Sequence, residues 1–148
     1  EKSLRIVEKI LRTKKMPEVF FSHERLVAGN ALSIPWSDGT FDYITGWGIL
    51  HYNTMKEIEA ILKEIIRCLS PGGIFLGTIR AISDTHLRVK EGIAECDSLK
   101  GSRVMLFSLE MVKEIFSIFR NLKIGYMERS EPGKLEEKIC HWIVEAGG

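Results

Sequence analysis

The feature of this sequence that most constrains its fold is a strand, a helix and a second strand that follow one another in mid-chain. The run 41–46 follows a polar turn at 35–40 and is predicted to form a strand. Thr54 and Glu57 have the spacing of a capping box, and the apolar residues of 55–69 recur at helical intervals. The run 74–79 is almost continuously apolar, which predicts a strand covered on both faces, as in a parallel sheet. This order predicts a right-handed crossover unit and therefore an α/β fold.

The part of the chain before this unit predicts a helix and one further strand. Residues 3–13 place their apolar side chains on one face, as in an amphipathic helix that Pro17 would end. Residues 19–21 are apolar and fit either a small strand or a packed loop. Residues 26–29 predict a short buried strand that ends at Asn30.

The part after this unit predicts an irregular connection, a helix and a hairpin. Residues 80–105 have no clear period, although their apolar residues would support a short helix at Leu87, Val89 and Ile93. Ser108 is placed to cap a helix with apolar positions at Leu109, Val112, Ile115, Phe116 and Phe119. Residues 122–129 and 138–145 flank a polar turn and predict an antiparallel hairpin.

Composition excludes several classes of function. The chain has 148 residues with 45% hydrophobic and 28% charged, which is ordinary for one soluble domain. Its 21 Lys and Arg against 20 Asp and Glu give a net charge of +1, so nothing indicates a nucleic-acid or membrane partner. No apolar run reaches the roughly 20 residues that a bilayer span needs, and no signal peptide is recognisable.

The cysteines and histidines predict no metal site. Cys68, Cys96 and Cys140 are odd in number and form no CxxC pair, which argues against disulfides and zinc and favours a reducing cytoplasm. His141 follows Cys140, but neighbours on a strand point to opposite faces, so the two cannot easily chelate one ion.

The middle of the chain also carries a recognisable set of motifs. Residues 29–52 read GNALSIPWSDGTFDYITGWGILHY, and residues 69–73 read LSPGG. This pattern closely resembles the class I S-adenosylmethionine (SAM)-dependent methyltransferases of the ubiquinone/menaquinone type, in which a "GDA…LPF.DGSFD" run precedes a "…G.LHH" loop and an "L.PGG" turn. The resemblance implies a Rossmann-like α/β domain with a C-terminal antiparallel hairpin. It also implies transfer of a methyl group from SAM to a small-molecule acceptor.

The resemblance implies a cofactor site at five residues. Asn30 takes the place of an acidic residue that accepts a hydrogen bond from the adenine amino group, and an amide oxygen can also accept that bond. The backbone N–H of Ala31 would face the adenine ring. Gly46, Trp47 and Gly48 would pass the methionine half, where glycines allow close backbone approach and the Trp ring could lie near the sulfonium. The alternatives are an Asn30 that satisfies its own turn and a Trp47 that only packs.

His51 is the candidate catalytic residue. It follows Leu50 where the family has an "LHH" or "LHY" tail, and a histidine can act as a general base near neutral pH. The alternative is a histidine that lines the pocket floor and bonds to backbone. Methyl transfer is an in-line displacement that positioning alone can accelerate, so no catalytic pair is required.

The family's first strand, its Gly-rich SAM-binding loop and the acidic residue after it have no counterpart here. The chain starts in what resembles the helix after the second strand. We therefore expect a single partial domain over 1–148, incomplete at its N-terminus, with 81–107 as a candidate substrate lid. The alternatives are a fragment of a full enzyme, a natural or engineered truncation, and a chain that dimerises or swaps elements to rebuild the sheet. A sheet that lacks its central strand exposes pairing edges, so we expect a homo-oligomer if this piece is stable alone.

Two functions stay open at this point. The first is a cytoplasmic SAM-dependent methyltransferase, with the activity of this chain alone undecided. The second is a non-catalytic methyltransferase-like module that serves as a subunit or interaction domain.

Overall fold

The computed structural model describes residue 13 and residues 27–90, 92–94 and 101–148. The chain divides into two compact units, Glu1–Pro35 and Trp36–Gly148, and each is described by itself. The predicted helix over 3–13 and the apolar piece 19–21 lie outside the described residues, apart from Thr13, which is helical.

In the first unit, the described residues form a turn instead of the predicted strand. Residues 27–29 have no strand conformation, and Val27 is 41% exposed. The main-chain oxygen of Asn30 accepts the N–H of Ser33 at 2.9 Å, so the chain reverses at once. The prediction of a buried strand is therefore wrong for residues 27–29.

The second unit contains a sheet and two α-helices among its described residues. Its strands are β1 (Phe41–Gly46), β2 (Leu69–Arg80), β3 (Val89–Lys90), β4 (Ile93–Ala94), β5 (Asn121–Glu131) and β6 (Lys134–Gly147). Its helices are α1 (Met55–Cys68) and α2 (Leu109–Ile115), with a short 3-10 helix at Leu50–Tyr52. The main sheet has the order β1-β2-β6-β5, and β3 pairs with β4. Strands β1 and β2 are parallel, whereas β6 is antiparallel to both β2 and β5.

The predicted crossover unit is confirmed. The N–H of Thr54 donates to Glu57 Oε2 at 2.7 Å, and the N–H of Glu57 donates to Thr54 Oγ1 at 3.3 Å, which completes the capping box. Helix α1 then buries the stripe formed by Ile58, Ile61, Leu62, Ile65 and Cys68. This helix returns the chain so that β2 lies parallel to β1, with Gly46 opposite Gly77.

Strand β2 differs from its prediction in two ways. It begins directly after α1, and the LSPGG residues form an irregularity in which Phe41 pairs with Leu69 while Tyr43 pairs with Ile74. Coverage on both faces is confirmed over 77–80, where four consecutive residues are buried. It is wrong at Leu76, which is 39% exposed, whereas Phe75 on the opposite face is fully buried. The Phe75 ring packs against Phe116 and Phe119, with centroids 6.1 and 6.4 Å away.

The C-terminal elements follow the sequence pattern closely. Ser108 caps α2 by accepting the N–H of Met111 at 3.3 Å. The helix ends at Ile115, earlier than the apolar pattern suggests, and Phe116 and Phe119 stay buried in the turns that follow. The predicted hairpin is confirmed as β5 and β6.

The connection between β2 and α2 is not helical where it is described. Val89 pairs with Ala94 and Lys90 with Ile93 in a two-stranded hairpin, and Gly92 has a φ of +79°. The short helix suggested by Leu87, Val89 and Ile93 is therefore wrong. Leu87, Ala94 and Val104 instead form a small buried cluster of their own.

Candidate functional site

The loop that leaves β1 is fixed to the neighbouring strand by one hydrogen bond. The N–H of Gly48 donates to Thr78 Oγ1 at 2.9 Å, and Thr78 is 1% exposed. Gly48 has a φ of +68°, a conformation that favours glycine. The loop thus lies at the carboxyl ends of the parallel strands β1 and β2, where ligands bind in open α/β sheets.

Different structural features favour glycine at the two glycine positions of this loop. A Cβ on Gly46 would lie 3.0 Å from Cε2 of Phe75, so the buried ring requires a glycine there. A Cβ on Gly48 would meet its nearest neighbour, Cε1 of His51, at 3.9 Å, so its backbone angle is what requires glycine. Close approach of either residue to a cofactor stays a prediction.

Trp47 is 63% exposed. Contact of its ring with a cofactor, and the alternative of packing alone, stay predictions.

His51 is buried beside this loop. His51 is 1% exposed, and its main-chain oxygen accepts the N–H of Met105 at 2.8 Å. Its ring centroid lies 4.4 Å from that of Tyr52 and 6.0 Å from that of His141. The imidazole of His51, after the end of β1, thus lies near the imidazole of His141 on β6.

An ion pair completes this buried cluster. Arg80 Nε lies 2.6 Å from Asp84 Oδ2, so the two side chains form an ion pair. The geometry of this contact does not meet the criteria of a hydrogen bond. Asp84 also accepts the N–H of Leu87 at 3.0 Å and the N–H of Cys140 at 2.8 Å. Arg80 Nη1 lies 3.1 Å from His141 Nε2. We call Arg80, Asp84, His51 and His141 the histidine cluster.

Both imidazoles of the histidine cluster are held neutral. Burial, followed by the charges of Arg80 and His141, lowers the pKa of His51 to about 3. Burial and the charge of Arg80 also lower the pKa of His141. Whether His51 acts as a general base stays a prediction, and the structure places it as an uncharged ring at neutral pH.

The adenine-binding residues predicted in the first unit form a self-contained turn. Asn30 Oδ1 accepts the N–H of Leu32 at 3.0 Å, as the alternative interpretation expects. A carbonyl oxygen has two lone pairs, so the bond to adenine stays a prediction. The structure brings Gly46, Trp47, Gly48 and His51 together in the second unit, whereas Asn30 and Ala31 belong to the first.

Sequence reasoning missed Thr78, Arg80, Asp84 and His141. A cationic residue directly after the apolar run of β2 is a signal that could have drawn attention to Arg80. No signal of comparable strength marks Asp84 or His141, because only the pairing of β2 with β6 brings His141 opposite Arg80.

A large groove lies away from this site. Its volume is about 790 Å³, and Gly39, Arg67, Leu69, Phe119 and Arg120 are among its lining residues. Gly39 precedes β1 and Leu69 begins β2, so the groove is at the amino ends of these strands. The described residues contain no group of three metal-binding side chains, and no helix among them could cross a membrane.

Comparison with known proteins finds methyltransferases. A family model described as "Methyltransferase domain" matches residues 3–73. A demethylmenaquinone methyltransferase of Anoxybacillus flavithermus is 43% identical over 61 residues, which are 40% of this chain and 24% of the relative. These matches support a class I SAM-dependent methyltransferase family. This match spans about a quarter of the length of that curated relative.

Solved structures confirm the Rossmann-like fold of this chain. The PH0226 protein from Pyrococcus horikoshii has a TM-score of 0.70 at 15% identity, covering 100% of this chain and 68% of that one. A Burkholderia thailandensis 1,6-didemethyltoxoflavin-N1-methyltransferase with bound S-adenosylhomocysteine has a TM-score of 0.59 at 17% identity, covering 88% of this chain and 56% of that one. The comparisons give no support to the alternative of a non-catalytic module.

Proposed function

We propose that this chain is the part of a SAM-dependent methyltransferase that contacts both the adenine and the methionine half of the cofactor and binds the methyl acceptor. The observation that carries the proposal is that the family match covers the Gly46–Gly48 loop, which lies at the carboxyl end of β1. The names of the two methyltransferases above describe small-molecule substrates, which supports a small-molecule acceptor.

The proposed cofactor contacts follow the residues of the resemblance. The main chain of Gly46 and Gly48 would line the methionine half, and Trp47 would present its exposed ring to the sulfonium. A cation over an aromatic face gains roughly 0.5 to 2 kcal/mol. Asn30 and Ala31 would bind the adenine.

The protein would contribute to methyl transfer mainly by positioning the nucleophile. SAM supplies an electrophilic methyl group, so the chain has to hold the nucleophile about 3 Å from it and exclude water. Thr78 would keep the loop in place through its bond to Gly48. His51 would act at the acceptor, as an uncharged base or as a pocket wall.

The proposal also covers the cellular compartment, the oligomeric state and the substrate lid. Cys68 and Cys140 are free and buried, which supports a cytoplasmic enzyme. In the described part of the main sheet, β1 and β5 form the edges, and pairing of β1 with another chain would complete a larger sheet. Residues 81–107 would act as the substrate lid.

Calorimetric titration of S-adenosylhomocysteine into the chain tests the proposal. We expect micromolar binding that weakens for Gly48→Ala, because a Cβ at this φ strains the loop. Gly133→Ala is the matched control, since Gly133 has a φ of +82° at the far hairpin turn. Asn30→Ala tests the adenine contact in the same way.

Absence of binding by a folded sample would refute the proposed function for this chain. Equal affinity for the Gly48→Ala and Gly133→Ala variants would refute the role of the loop. A loss confined to Asn30→Ala would leave only the adenine contact standing.

A further inference from the structure

The stretch of chain from β1 to the start of α1 carries no charged side chain. Residues 43–55 contain no Asp, Glu, Lys or Arg, although these four types make up 28% of the chain. The polar side chains at the end of this stretch are used locally. Asn53 Nδ2 donates to the main-chain oxygen of Ile49 at 2.8 Å, and Thr54 forms the capping box with Glu57. The stretch therefore presents mainly apolar groups to its surroundings.

Three large apolar residues of this stretch are exposed. The exposed fraction is 63% for Trp47, 43% for Ile49 and 39% for Tyr52. Ile49 is the N-cap of the 3-10 helix and Tyr52 is its last residue. Side chains three positions apart in such a helix lie over one another, so these two share a face, whereas Leu50 and His51 between them are buried. We call Trp47, Ile49 and Tyr52 the apolar rim.

The charged side chains that act on this stretch come in opposite pairs. Arg80 forms the buried ion pair with Asp84. Hydrogen bonds from Thr54 and the positive charge of Arg103 lower the pKa of Glu57, so the second pair is also of opposite sign. Both imidazoles of the histidine cluster are neutral. A charged ligand at the apolar rim would lose its hydration and would gain no counter-charge from these residues.

The chemistry of methyl transfer indicates what lies beside the apolar rim. The methyl group is bonded to the sulfonium, and an in-line displacement places the nucleophile of the acceptor about 3 Å from that methyl group. If the Gly46–Gly48 loop holds the methionine half, the acceptor also lies at this end of β1. This step rests on the proposed function, whereas the exposure and charge of the apolar rim do not.

We propose that the apolar rim binds the methyl acceptor and that the acceptor is an uncharged small molecule with an apolar surface. Covering Trp47, Ile49 and Tyr52 with such a surface is favourable through the hydrophobic effect and needs no counter-charge. A carboxylate, a phosphate ester or an ammonium compound is disfavoured for the same reason. The proposed function alone does not make this choice among small molecules.

Three naphthalene probes of similar size and different charge test the inference. At pH 7.5, 2-naphthol is neutral, 2-naphthoate is an anion and 2-naphthylmethylamine is a cation. We would titrate each probe into the full chain and follow the backbone amide resonances, with and without S-adenosylhomocysteine. We expect 2-naphthol to bind about tenfold more tightly than either charged probe and to shift the amides of Trp47, Ile49 and Tyr52.

Two serine variants form a matched pair. Ile49→Ser removes an exposed apolar side chain from the rim, so it should weaken 2-naphthol binding about five- to tenfold. Leu135→Ser removes one that is 73% exposed at the far hairpin turn and should leave the binding unchanged. Circular dichroism and thermal unfolding identify a variant that fails to fold, and the three probes on the wild-type chain then decide alone.

The outcomes separate the two proposals. Equal or tighter binding of a charged probe overturns this inference, and so do shifts that lie away from the apolar rim. Loss of self-association in Ile49→Ser with unchanged 2-naphthol binding assigns the rim to a contact between copies and overturns it as well. In each case, binding of S-adenosylhomocysteine leaves the proposed function standing. A 2-naphthol preference at the rim of a chain that does not bind S-adenosylhomocysteine upholds the neutral apolar site while the proposed function fails.

Discussion

The stability of this chain should fall as the pH drops from 7.5 to 5, because of the histidine cluster. The pKa of His51 is lowered from 6.5 to about 3 in the folded chain, so between these values the unfolded chain binds a proton that the folded chain does not. Stability from this group is therefore fully present above pH 6.5 and is lost as the pH falls. The pKa of His141 is lowered in the same direction and adds to the loss.

The size of the effect follows from linkage. Each pH unit between the two pKa values of His51 costs about 1.4 kcal/mol, so the step from pH 6.5 to 5 removes about 2 kcal/mol of unfolding free energy. This window lies above the ordinary carboxylate pKa of 4.5, which limits the contribution of groups such as Glu57 and Glu128, whose pKa values are lowered further.

Urea unfolding followed by circular dichroism at pH 7.5, 6.5 and 5 measures this loss. The His51→Gln variant should lose about 2 kcal/mol less than wild type across the window, because it has no proton to gain. Thr78→Val perturbs the same loop without removing a titratable group and should keep the full dependence. An unchanged pH dependence in His51→Gln would refute the assignment of the loss to this buried ring.

Two further predictions concern packing and the loop. Thr78→Val should lower the unfolding free energy by about 1 to 3 kcal/mol, because the Gly48 N–H loses its acceptor, and Thr78→Ser should recover most of it in the same urea assay. Gly77→Ala should cost about 1 to 3 kcal/mol, because its Cβ would lie 2.5 Å from Cζ of Phe75. Gly125→Ala, whose Cβ would lie 3.8 Å from its nearest neighbour, is the control, and equal thermal stability of the two alanine variants would contradict the packing argument.

Features set by neighbours in sequence could be predicted from the sequence. The capping box of Thr54 and Glu57 joins residues three positions apart, and the cap of Ser108 on Met111 does the same. The hairpin of β5 and β6 follows from alternation around a polar turn. The motif run 29–73 likewise carried the family, because its residues are contiguous or nearly so.

Features that depend on contacts between distant segments required the tertiary structure. The sequence shows glycine at 46 but not the Phe75 ring that requires it, since that contact exists only once β1 pairs with β2. Likewise, His51 and His141 become neighbours because β6 pairs with β2 beside the end of β1. The sequence by itself determined helix α1, the cap of α2, the β5–β6 hairpin and the family resemblance, because local hydrogen bonds, periodicity and contiguous motifs encode them. The tertiary structure decided which polar groups are buried together, because burial and pKa depend on packing between distant segments.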